Sequence, residues 1–316
     1  MFKLSDTSKY IIFLIFIAFT VLFYRGLKVN KSLVVKNDNL NSFISTATKE
    51  SGNNLQSPAA NAGQTGYSGN FFQEKFDRNY ALEESPKIEK SADPYWSITS
   101  GGYLIFENGV GKTIQGVLQT DDKWRIYYFK DNPVDSDNGY RPQNIFRMVS
   151  KSNWLNLEQQ SQFLITKYNL SASSNRNASN GLFFLNRYKD ANNLYYAGIR
   201  VDGLATIKKK INGNYYTISQ AKIFDGIYDI DKNPILLPQN KWIGLKSVAQ
   251  NNPDGSVEIK LFIDRNGDNE WELALEGKDD GINYGGKPFY DSGHVGIRTD
   301  FMDVQFKNYS AKELKI

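Results

Sequence analysis

Short runs of aromatic and β-branched residues, separated by turn-forming residues, fill the chain from Phe71 onward. In "SVEIKLFID" the apolar residues Val257, Ile259, Leu261 and Ile263 occupy every second position. Successive side chains of a strand point to opposite faces, so this spacing predicts a strand with one buried, apolar face. Aromatic residues, which favour strands, make up 14% of the chain. We therefore predict an all-β fold, built as a two-sheet antiparallel sandwich.

Three local segments are predicted individually. "WRIYYFK" (124–130) is predicted as a strand, and "SNWLNLEQQ" (152–160) as a short turn of helix. Asn212-Gly213 predicts a two-residue type I′ hairpin, because both positions of that turn need a positive φ. The predicted facing pairs are Ile211 with Asn214, Lys210 with Tyr215, Lys208 with Thr217, and Ile207 with Ile218.

That register puts Lys208 and Lys210 on one face of the hairpin together with Tyr215, and Lys209 on the other face. One interpretation of the lysines is a contact for an acidic ligand. The alternative is a solvated hairpin whose lysines discourage edge-to-edge strand pairing.

Composition excludes several classes of site. The chain of 316 residues has no cysteine and a single histidine, which excludes disulfides, thiolate zinc sites, a cysteine nucleophile and a histidine-rich metal centre. A net charge of +4 is too small to indicate a nucleic-acid-binding protein.

The N-terminal part reads as an anchor followed by a spacer. After a short flank (1–9), residues 10–25 contain an uncharged apolar run, Tyr10 to Tyr24, which predicts an uncleaved signal anchor or transmembrane helix. Residues 26–69 are rich in Asn, Ser, Gly and Gln and are predicted to be a flexible linker. We expect a single-pass membrane protein whose C-terminal domain (70–316) is extracytoplasmic. The alternative is a secreted protein.

The order of motifs in the C-terminal part resembles a known family. "FFQEKFD", Trp96 and "SGGYLIFENG" come early, and a Trp-led strand, a strand ending in Asp with a tight turn, "GHVGIRTD" and "DVQFKNY" come late. This order resembles the concanavalin A-like, laminin-G-like sandwiches, and is similar to the C-terminal half of the 3-keto-disaccharide hydrolase-like family. The resemblance implies a jelly-roll sandwich and gives little information about function.

The stretch "GHVGIRTDFMDVQF" holds the only histidine, but it is interpreted as structural. His294 has no Ser or Cys partner motif. A bridge from Arg298 to Asp300 or Asp303 would satisfy a strand end. The E-x-D-x-x-E carboxylate motif of laminarinase-like members is absent, and the carboxylates of "EWE" (270–272) lack a third group.

The candidate ligand-binding face lies in the central strands. Sugar rings stack on aromatic faces, while charged side chains and amides bind their hydroxyl or carboxylate groups. The alternative is that half of the tyrosines in these strands are core and the charges line a solvated sheet face. The candidate residues are Arg187, Tyr196, Arg200, Asp202, Lys208, Lys210 and Tyr215.

The sequence offers candidate ligands for calcium. In "DRNGDNE" the oxygen-bearing residues Asp264, Asn266 and Asp268 stand at alternate positions, as in calcium loops, although the EF-hand pattern is not met. Hairpin-turn chemistry explains the same residues. Asp303 is a separate candidate, and any such calcium is expected to be structural.

These observations favour a membrane-anchored, carbohydrate-binding (lectin-like) or surface-ligand-binding module whose partner is a glycan or a cell-envelope polysaccharide. The first alternative is a glycoside-processing enzyme related to the 3-keto-disaccharide hydrolases. The second is a structural or adhesive envelope protein.

Overall fold

The computed structural model describes residues 65–315, and in this range the chain is almost entirely β-structure. The apolar run predicted as an anchor (10–25) lies outside the described residues, as does most of the predicted linker. Within the described part, no helix is long and apolar enough to cross a membrane.

The strands run in chain order as follows. They are β1 (Gly66–Ser68), β2 (Phe71–Glu74), β3 (Tyr80–Glu83), β4 (Trp96–Ser100), β5 (Tyr103–Glu107), β6 (Val110–Thr113), β7 (Ile145–Trp154), β8 (Leu157–Tyr168), β9 (Gly181–Asp190), β10 (Asn193–Arg200), β11 (Leu204–Ile211), β12 (Asn214–Lys222), β13 (Trp242–Asn251), β14 (Val257–Asp264), β15 (Glu272–Asp279), β16 (Gly293–Asp300) and β17 (Met302–Glu313). Within residues 65–315, one α-helix, α1 (Lys123–Asp131), and two 3₁₀ turns, Ile88–Lys90 and Pro142–Asn144, interrupt them.

The strands form two antiparallel sheets. The first has ten strands in the order β15-β14-β13-β8-β17-β6-β5-β3, with β2 paired to β17 and β1 paired to β2. The second has seven strands in the order β12-β11-β10-β9-β16-β7-β4. The predicted all-β, two-sheet antiparallel sandwich is confirmed. Because β1 belongs to the first sheet, the paired structure begins a few residues before the predicted boundary at residue 70.

One apolar core fills the space between the sheets. Phe146 of the seven-stranded sheet lies 5.8 Å from Phe306 of the ten-stranded sheet, measured between ring centroids. Phe163 and Phe184 make a second such contact at 5.7 Å. Because successive side chains of a strand point to opposite faces, each sheet also has an outer face that is turned away from the core. The outer face of the seven-stranded sheet carries the candidate site.

The segment 124–130 is helical, so its prediction as a strand was wrong. The Asp122 side chain caps the helix by accepting the backbone N–H groups of Trp124 and Arg125 at 2.7 and 3.4 Å. Such a cap satisfies N–H groups that have no partner inside the helix. Of the helical residues only Tyr128 is buried, so the aromatic content that suggested a strand is mostly at the surface.

The predicted helical turn at 152–160 was also wrong. Strand β7 continues to Trp154 and β8 begins at Leu157, so only two residues carry the chain from one sheet to the other. Along β8, Leu157, Gln159 and Ser161 are all buried, which is the period of a strand and not of a helix.

The hairpin between β11 and β12 has the predicted turn. Asn212 and Gly213 have φ values of 50° and 83°, as a type I′ turn requires. Three of the four predicted pairs are confirmed, but Ile207 pairs with Ser219 instead of Ile218. A bulge between Ile207 and Lys208 inserts one extra residue and shifts the register beyond it.

Candidate ligand-binding site

A cavity of about 490 Å³ opens on the outer face of the seven-stranded sheet. Strands β9, β10, β11, β12 and β16 provide its floor, and the loop between β8 and β9 (169–180) provides much of its wall. We call it the sheet pocket. Its lining residues are Asp135, Ile145, Asn175, Asn177, Ser179, Asn180, Phe183, Tyr196, Lys208, Tyr215, Arg298, Asp300 and Phe301.

The floor of the sheet pocket belongs to a small apolar cluster that is separate from the core. Phe183 and Tyr196 meet edge to face there, with ring centroids 6.0 Å apart. We call this group the outer cluster, and its buried members are Val149, Phe183, Leu185, Tyr188, Leu194 and Tyr196. Apolar residues buried on the outer face of a sheet need a cover, and polar side chains supply it here.

Arg298 covers part of the floor and connects two residues of the pocket, Asp300 and Tyr196. Its Nε donates to Asp300 at 2.8 Å, and its Nη1 donates to the hydroxyl of Tyr196 at 3.0 Å. Its guanidinium carbon lies 5.5 Å from the centre of the Tyr196 ring. The strand-end bridge from Arg298 to Asp300 that the sequence predicted is therefore present, and it lies in the wall of the pocket.

Two tyrosines form an aromatic platform in the pocket. The rings of Tyr196 and Tyr215 are nearly parallel, at 29°, with centroids 6.0 Å apart. Tyr196 is buried, whereas the side chain of Tyr215 is 53% exposed. The exposed Tyr215 therefore offers a ring face to a ligand, while Tyr196 supports it from below.

The two phenols of the platform differ in acidity. Burial raises the pKa of Tyr196 to about 12. Burial also acts to raise the pKa of Tyr215, but the positive charges of Arg298 and Lys210 outweigh it and hold that pKa below its ordinary value. The pocket is thus electropositive at the Tyr215 hydroxyl.

Lys208 stands directly opposite Tyr196 across the β10–β11 pair. Its ammonium makes neither a hydrogen bond nor an ion pair with any group of residues 65–315. Burial lowers the pKa of Lys208, and the nearby charge of Arg200 lowers it further. This cation is the least compensated charge of the pocket, and it faces the cavity.

The acidic groups of the pocket are already engaged. Asp300 is paired with Arg298 as described. Asp135 accepts a hydrogen bond from Ser173 at 2.5 Å and two from the Asn175 amide at 3.0 and 3.2 Å. These contacts hold the 169–180 loop against the segment that follows α1. The carboxylates of Asp135 and Asp300 are therefore occupied by protein donors, whereas the Lys208 ammonium has no partner among the described residues and is free to bind a ligand.

Tyr196, Lys208 and Tyr215 are the predicted site residues that the structure brings together in the pocket. Lys210 is adjacent: its ammonium lies 4.8 Å from the Tyr215 ring and donates to the carbonyl of Ala191 at 2.9 Å.

Two further predicted residues flank the pocket without lining it. Arg200 pairs with Asp202 at 2.6 Å and also donates to the carbonyl of Ala178 at 3.2 Å. Arg200 therefore supports the loop wall, since Ala178 belongs to the 169–180 loop.

Arg187 lies away from this group. It has a φ of 51°, and a bulge in the β9–β10 pairing places its side chain in the protein interior. The fully buried guanidinium donates to the carbonyls of Tyr290 and Asp291 at 3.0 and 3.1 Å, and to Asn251 at 3.0 Å. Arg187 therefore holds the loop before β16 in place, and it does not belong to the sheet pocket.

Asp264, a predicted calcium ligand, organises a turn. Oδ1 of Asp264 accepts the backbone N–H groups of Asn266, Gly267 and Asp268, at 3.1, 2.7 and 3.2 Å, and Oδ2 accepts that of Asn269 at 2.8 Å. The side chain of Asn266 accepts from the Lys241 ammonium at 2.9 Å, and Asp268 accepts the N–H of Glu270.

Asp303, the other candidate, is buried and accepts three N–H donors. They are the backbone of Gly116 at 2.7 Å and the side chains of Gln143 and Asn169 at 2.9 and 2.8 Å. Across residues 65–315 no cluster of three or more acidic or histidine side chains is placed to hold a metal ion.

Several pocket residues were not predicted as ligand-binding. Arg298 and Asp300 were interpreted only as a strand-end bridge, and Asp135 and the Asn-rich loop had no role assigned. The signal for the loop was present in "SASSNRNASN" (171–180), whose short polar residues favour turns with exposed amides.

No protein family model matches this sequence. No curated protein matches it either. Among solved structures, the carbohydrate binding module CBM66 from Bacillus subtilis is similar at 18% identity and a TM-score of 0.37, over 54% of this chain and 82% of that one. The GH43 protein BlXynB from Bacillus licheniformis is similar at 11% identity and a TM-score of 0.43, over 78% of this chain and 40% of that one. The Ca²⁺-bound exoplasmic/lumenal domain of VIP36 is similar at 10% identity and a TM-score of 0.36, over 76% and 92%. The two antiparallel sheets around one core are the sandwich that the resemblance implies. The identities and scores carry no inference about superfamily, ligand or reaction.

Proposed function

We propose that the sheet pocket binds an acidic glycan and that the protein is a lectin-like module. The observation that carries the proposal is the exposed face of Tyr215 beside the uncompensated ammonium of Lys208, in a cavity of about 490 Å³. A sugar ring presents an apolar C–H face to an aromatic ring and polar groups at its edge, which matches this combination.

The charges of the pocket favour an acidic sugar over a neutral one. Arg298 already forms an ion pair with Asp300, so it suits a ligand hydroxyl or an anion that it shares with Asp300. Lys208 has no such partner among the described residues. A carboxylate at Lys208 would form a charge-assisted hydrogen bond, which is stronger than a bond between neutral groups. The Asn-rich loop can supply amide donors and acceptors to the hydroxyl groups.

The proposal is tested by glycan-array binding of the full chain in mild detergent, followed by calorimetry with each glycan that binds. We expect binding of glycans with a uronic or other carboxylated sugar, and at least 10-fold weaker binding of the carboxyl-reduced forms. Tyr215→Ala and Lys208→Gln are each expected to weaken binding by roughly 10-fold.

Matched variants separate a loss of the site from a loss of the fold. Tyr127→Ala removes a tyrosine that is 47% exposed, comparable to Tyr215, but lies on α1. Lys260→Gln removes a half-buried lysine on β14 of the other sheet. Both should bind like the parent. Absence of binding to every acidic glycan, or equal losses in the control variants, would contradict the proposal.

A glycoside-processing reaction is a second candidate, because Asp135 and Asp300 both line the sheet pocket. Glycoside hydrolysis commonly uses two carboxyl groups that flank the scissile bond of one sugar. Against it stand their existing contacts, with the 169–180 loop and with Arg298. Release of reducing sugar from a bound glycan, abolished in Asp135→Asn and in Asp300→Asn, would favour the enzyme. Binding with no turnover would favour the lectin.

We also propose that residues 10–25 anchor the protein in the cell membrane as a single pass, with the sandwich extracytoplasmic. The support is the uncharged apolar run of the sequence. The anchored protein is expected to remain in the membrane fraction after washing with alkaline carbonate. Protease added to cells whose outer envelope has been permeabilised should degrade the sandwich. Release by carbonate would favour a secreted protein.

A further inference from the structure

Two arginines face each other across the outer face of the seven-stranded sheet. Arg298 of β16 and Arg147 of β7 are direct partners in the antiparallel register. Like charges placed directly opposite each other destabilise a sheet. Arg298 is compensated by Asp300, whereas Arg147 forms no ion pair with any of residues 65–315.

Arg147 is nevertheless held in place. Its Nε donates to the hydroxyl of Thr99 at 2.7 Å, and its guanidinium carbon lies 5.7 Å from the centre of the Tyr188 ring. Thr99, Arg147 and Tyr188 all line a second cavity, of about 460 Å³, on the same face. The terminal nitrogens of Arg147 are thus oriented by two contacts and remain available to a ligand.

Three acidic residues, Glu84, Glu89 and Asp190, line this second cavity, and none of them forms a salt bridge with Arg147. Glu89 is exposed to solvent, and the other two have partners of their own. Oε2 of Glu84 accepts the hydroxyl of Tyr128 at 2.6 Å and the N–H of Gly102 at 3.0 Å. Asp190 accepts the backbone N–H of Asn192 at 2.7 Å and the Asn193 amide at 3.0 and 3.1 Å. These contacts engage the Glu84 and Asp190 carboxylates, so Arg147 keeps its charge for an external anion.

The two cavities both open on the outer face of the seven-stranded sheet, and the cross-strand row through Lys208 meets β7 at Val149, two residues from Arg147. Lys208 is on β11 and Arg147 on β7, four strand intervals apart in the sheet order, which is roughly 19 Å. Between them lies the outer cluster, and both Tyr188 and Tyr196 belong to it. The outer face therefore carries cations on both sides of an aromatic cluster, over a span longer than a single sugar ring.

We propose that Arg147, Tyr188 and Thr99 form a second anion subsite, and that the outer face binds a stretch of acidic polysaccharide laid across the strands. One anionic group would pair with Lys208 in the sheet pocket and another with Arg147. This inference rests on the proposed function and narrows its ligand from a single acidic sugar to a chain with repeated charges.

The test compares short and long ligands. Disaccharides and octasaccharides prepared from heparin, hyaluronate and polygalacturonate are titrated into the full chain and into Arg147→Gln. At least one octasaccharide is expected to bind the parent 10-fold or more tightly than its own disaccharide. Arg147→Gln should lose roughly 10-fold in affinity for that octasaccharide and leave disaccharide binding unchanged. Its affinity should also fall less steeply with added salt.

Lys260→Gln serves as the matched loss of one positive charge, and thermal unfolding confirms that each variant folds. Arg147→Lys keeps the charge and should retain part of the octasaccharide affinity. Equal octasaccharide binding by the parent and Arg147→Gln would overturn the second subsite. So would equal binding of the short and long sugars by the parent, and in that case the proposed function still stands. No acidic sugar binding at all overturns both proposals. Equally tight binding of duplex DNA or anionic lipid vesicles would overturn the polysaccharide as the partner.

Discussion

The ammonium of Lys209 lies 2.8 Å from a carboxylate oxygen of Asp279, and both side chains are completely buried. Lys209 also donates to the carbonyls of Gly286 and Lys287, each at 2.7 Å. The hydroxyl of Tyr195 donates to the same carboxylate oxygen at 2.5 Å. This network ties β10 and β11 of one sheet to β15 of the other and to the loop that follows it.

Lys209→Met is expected to destabilise the fold by about 3–5 kcal/mol, because it leaves the Asp279 carboxylate buried without a cation. Lys208→Met, one position along the same strand, should change stability by about 0.5 kcal/mol or less, because Lys208 makes no ion pair among the described residues. Denaturant unfolding of the two variants measures the difference. Adding Asp279→Asn to Lys209→Met should recover part of the loss, and similar losses in Lys208→Met and Lys209→Met would contradict this account.

The "KKK" run shows how far strand alternation can predict a structure. The hairpin register placed Lys208 and Lys210 together with Tyr215 and put Lys209 on the other face. Alternation says nothing about what lies beyond each face. The partner of Lys209 is on β15, and only the packing of the two sheets brings it there. The sequence pattern therefore could not predict that Lys209 would be buried between the two sheets beside a carboxylate.

At Arg187 the alternation itself fails, because the backbone of β9 is irregular at this residue. A regular β9 would place Arg187 on the outer face with Phe183 and Leu185. Its φ of 51° breaks the alternation and turns the side chain inward. Positive φ is uncommon outside glycine, asparagine and aspartate, so no residue-type signal marks this position as a bulge.

The carboxylate of Asp264 should make the turn after β14 sensitive to acid. Burial acts to raise the pKa of Asp264, but four backbone N–H groups outweigh it and lower that pKa below its ordinary value. The stabilisation is then fully present above the pKa of an unfolded aspartate, about 3.9, and is lost as pH falls through the folded value.

Asp264→Asn is expected to lower stability at pH 7 by about 1–3 kcal/mol, because the new amide group faces an N–H donor. It should also flatten the loss of stability below about pH 4. A calcium chelator should leave the melting temperature of the parent unchanged, since the Asp264 and Asp303 carboxylates already accept N–H donors. A clear fall in melting temperature on chelation would instead support calcium binding by these residues.

Asp122 caps the N-terminus of α1. Asp122→Ala removes the acceptor for the first N–H groups of α1 and should cost about 1 kcal/mol in the free energy of unfolding. Asp121→Ala, at the preceding position, is the matched control and should have little effect. Denaturant unfolding monitored by the fluorescence of the tryptophans, which include Trp124 on the helix, measures both variants, and equal losses would show that capping is not the cause.

The pocket could be predicted only in part because its residues are distant in sequence. Tyr196, Lys208 and Tyr215 share two adjacent hairpins, so their common face follows from alternation. Arg298 belongs to β16, which lies between β9 and β7 in the sheet. Its bridge to Asp300 was a local inference, two residues apart on one strand. Its contact with Tyr196 depends on the strand order of the sheet, which short sequence motifs do not specify.

Tyr215 should give ligand binding a distinctive dependence on pH. The positive charges of Arg298 and Lys210 hold its pKa below that of an ordinary tyrosine, about 10. Ionisation of Tyr215 places a negative charge beside the site proposed for an anionic sugar. Affinity is therefore expected to fall as pH rises through this pKa, and the fall should begin at lower pH in the parent than in Tyr215→Phe. In the variant, only the deprotonation of Lys208 weakens binding.

Ultraviolet absorbance gives the ionisation directly, and calorimetry at each pH gives the affinity. Tyr215→Phe should remove the tyrosine that ionises first, whereas Tyr127→Phe should not, because burial raises the pKa of Tyr127. Lys210→Gln should shift the first ionisation of the parent to higher pH by removing one of the two cations. Should Tyr215→Phe titrate like the parent and bind with the same pH profile, the phenol of Tyr215 would be neither acidified nor close to the bound anion.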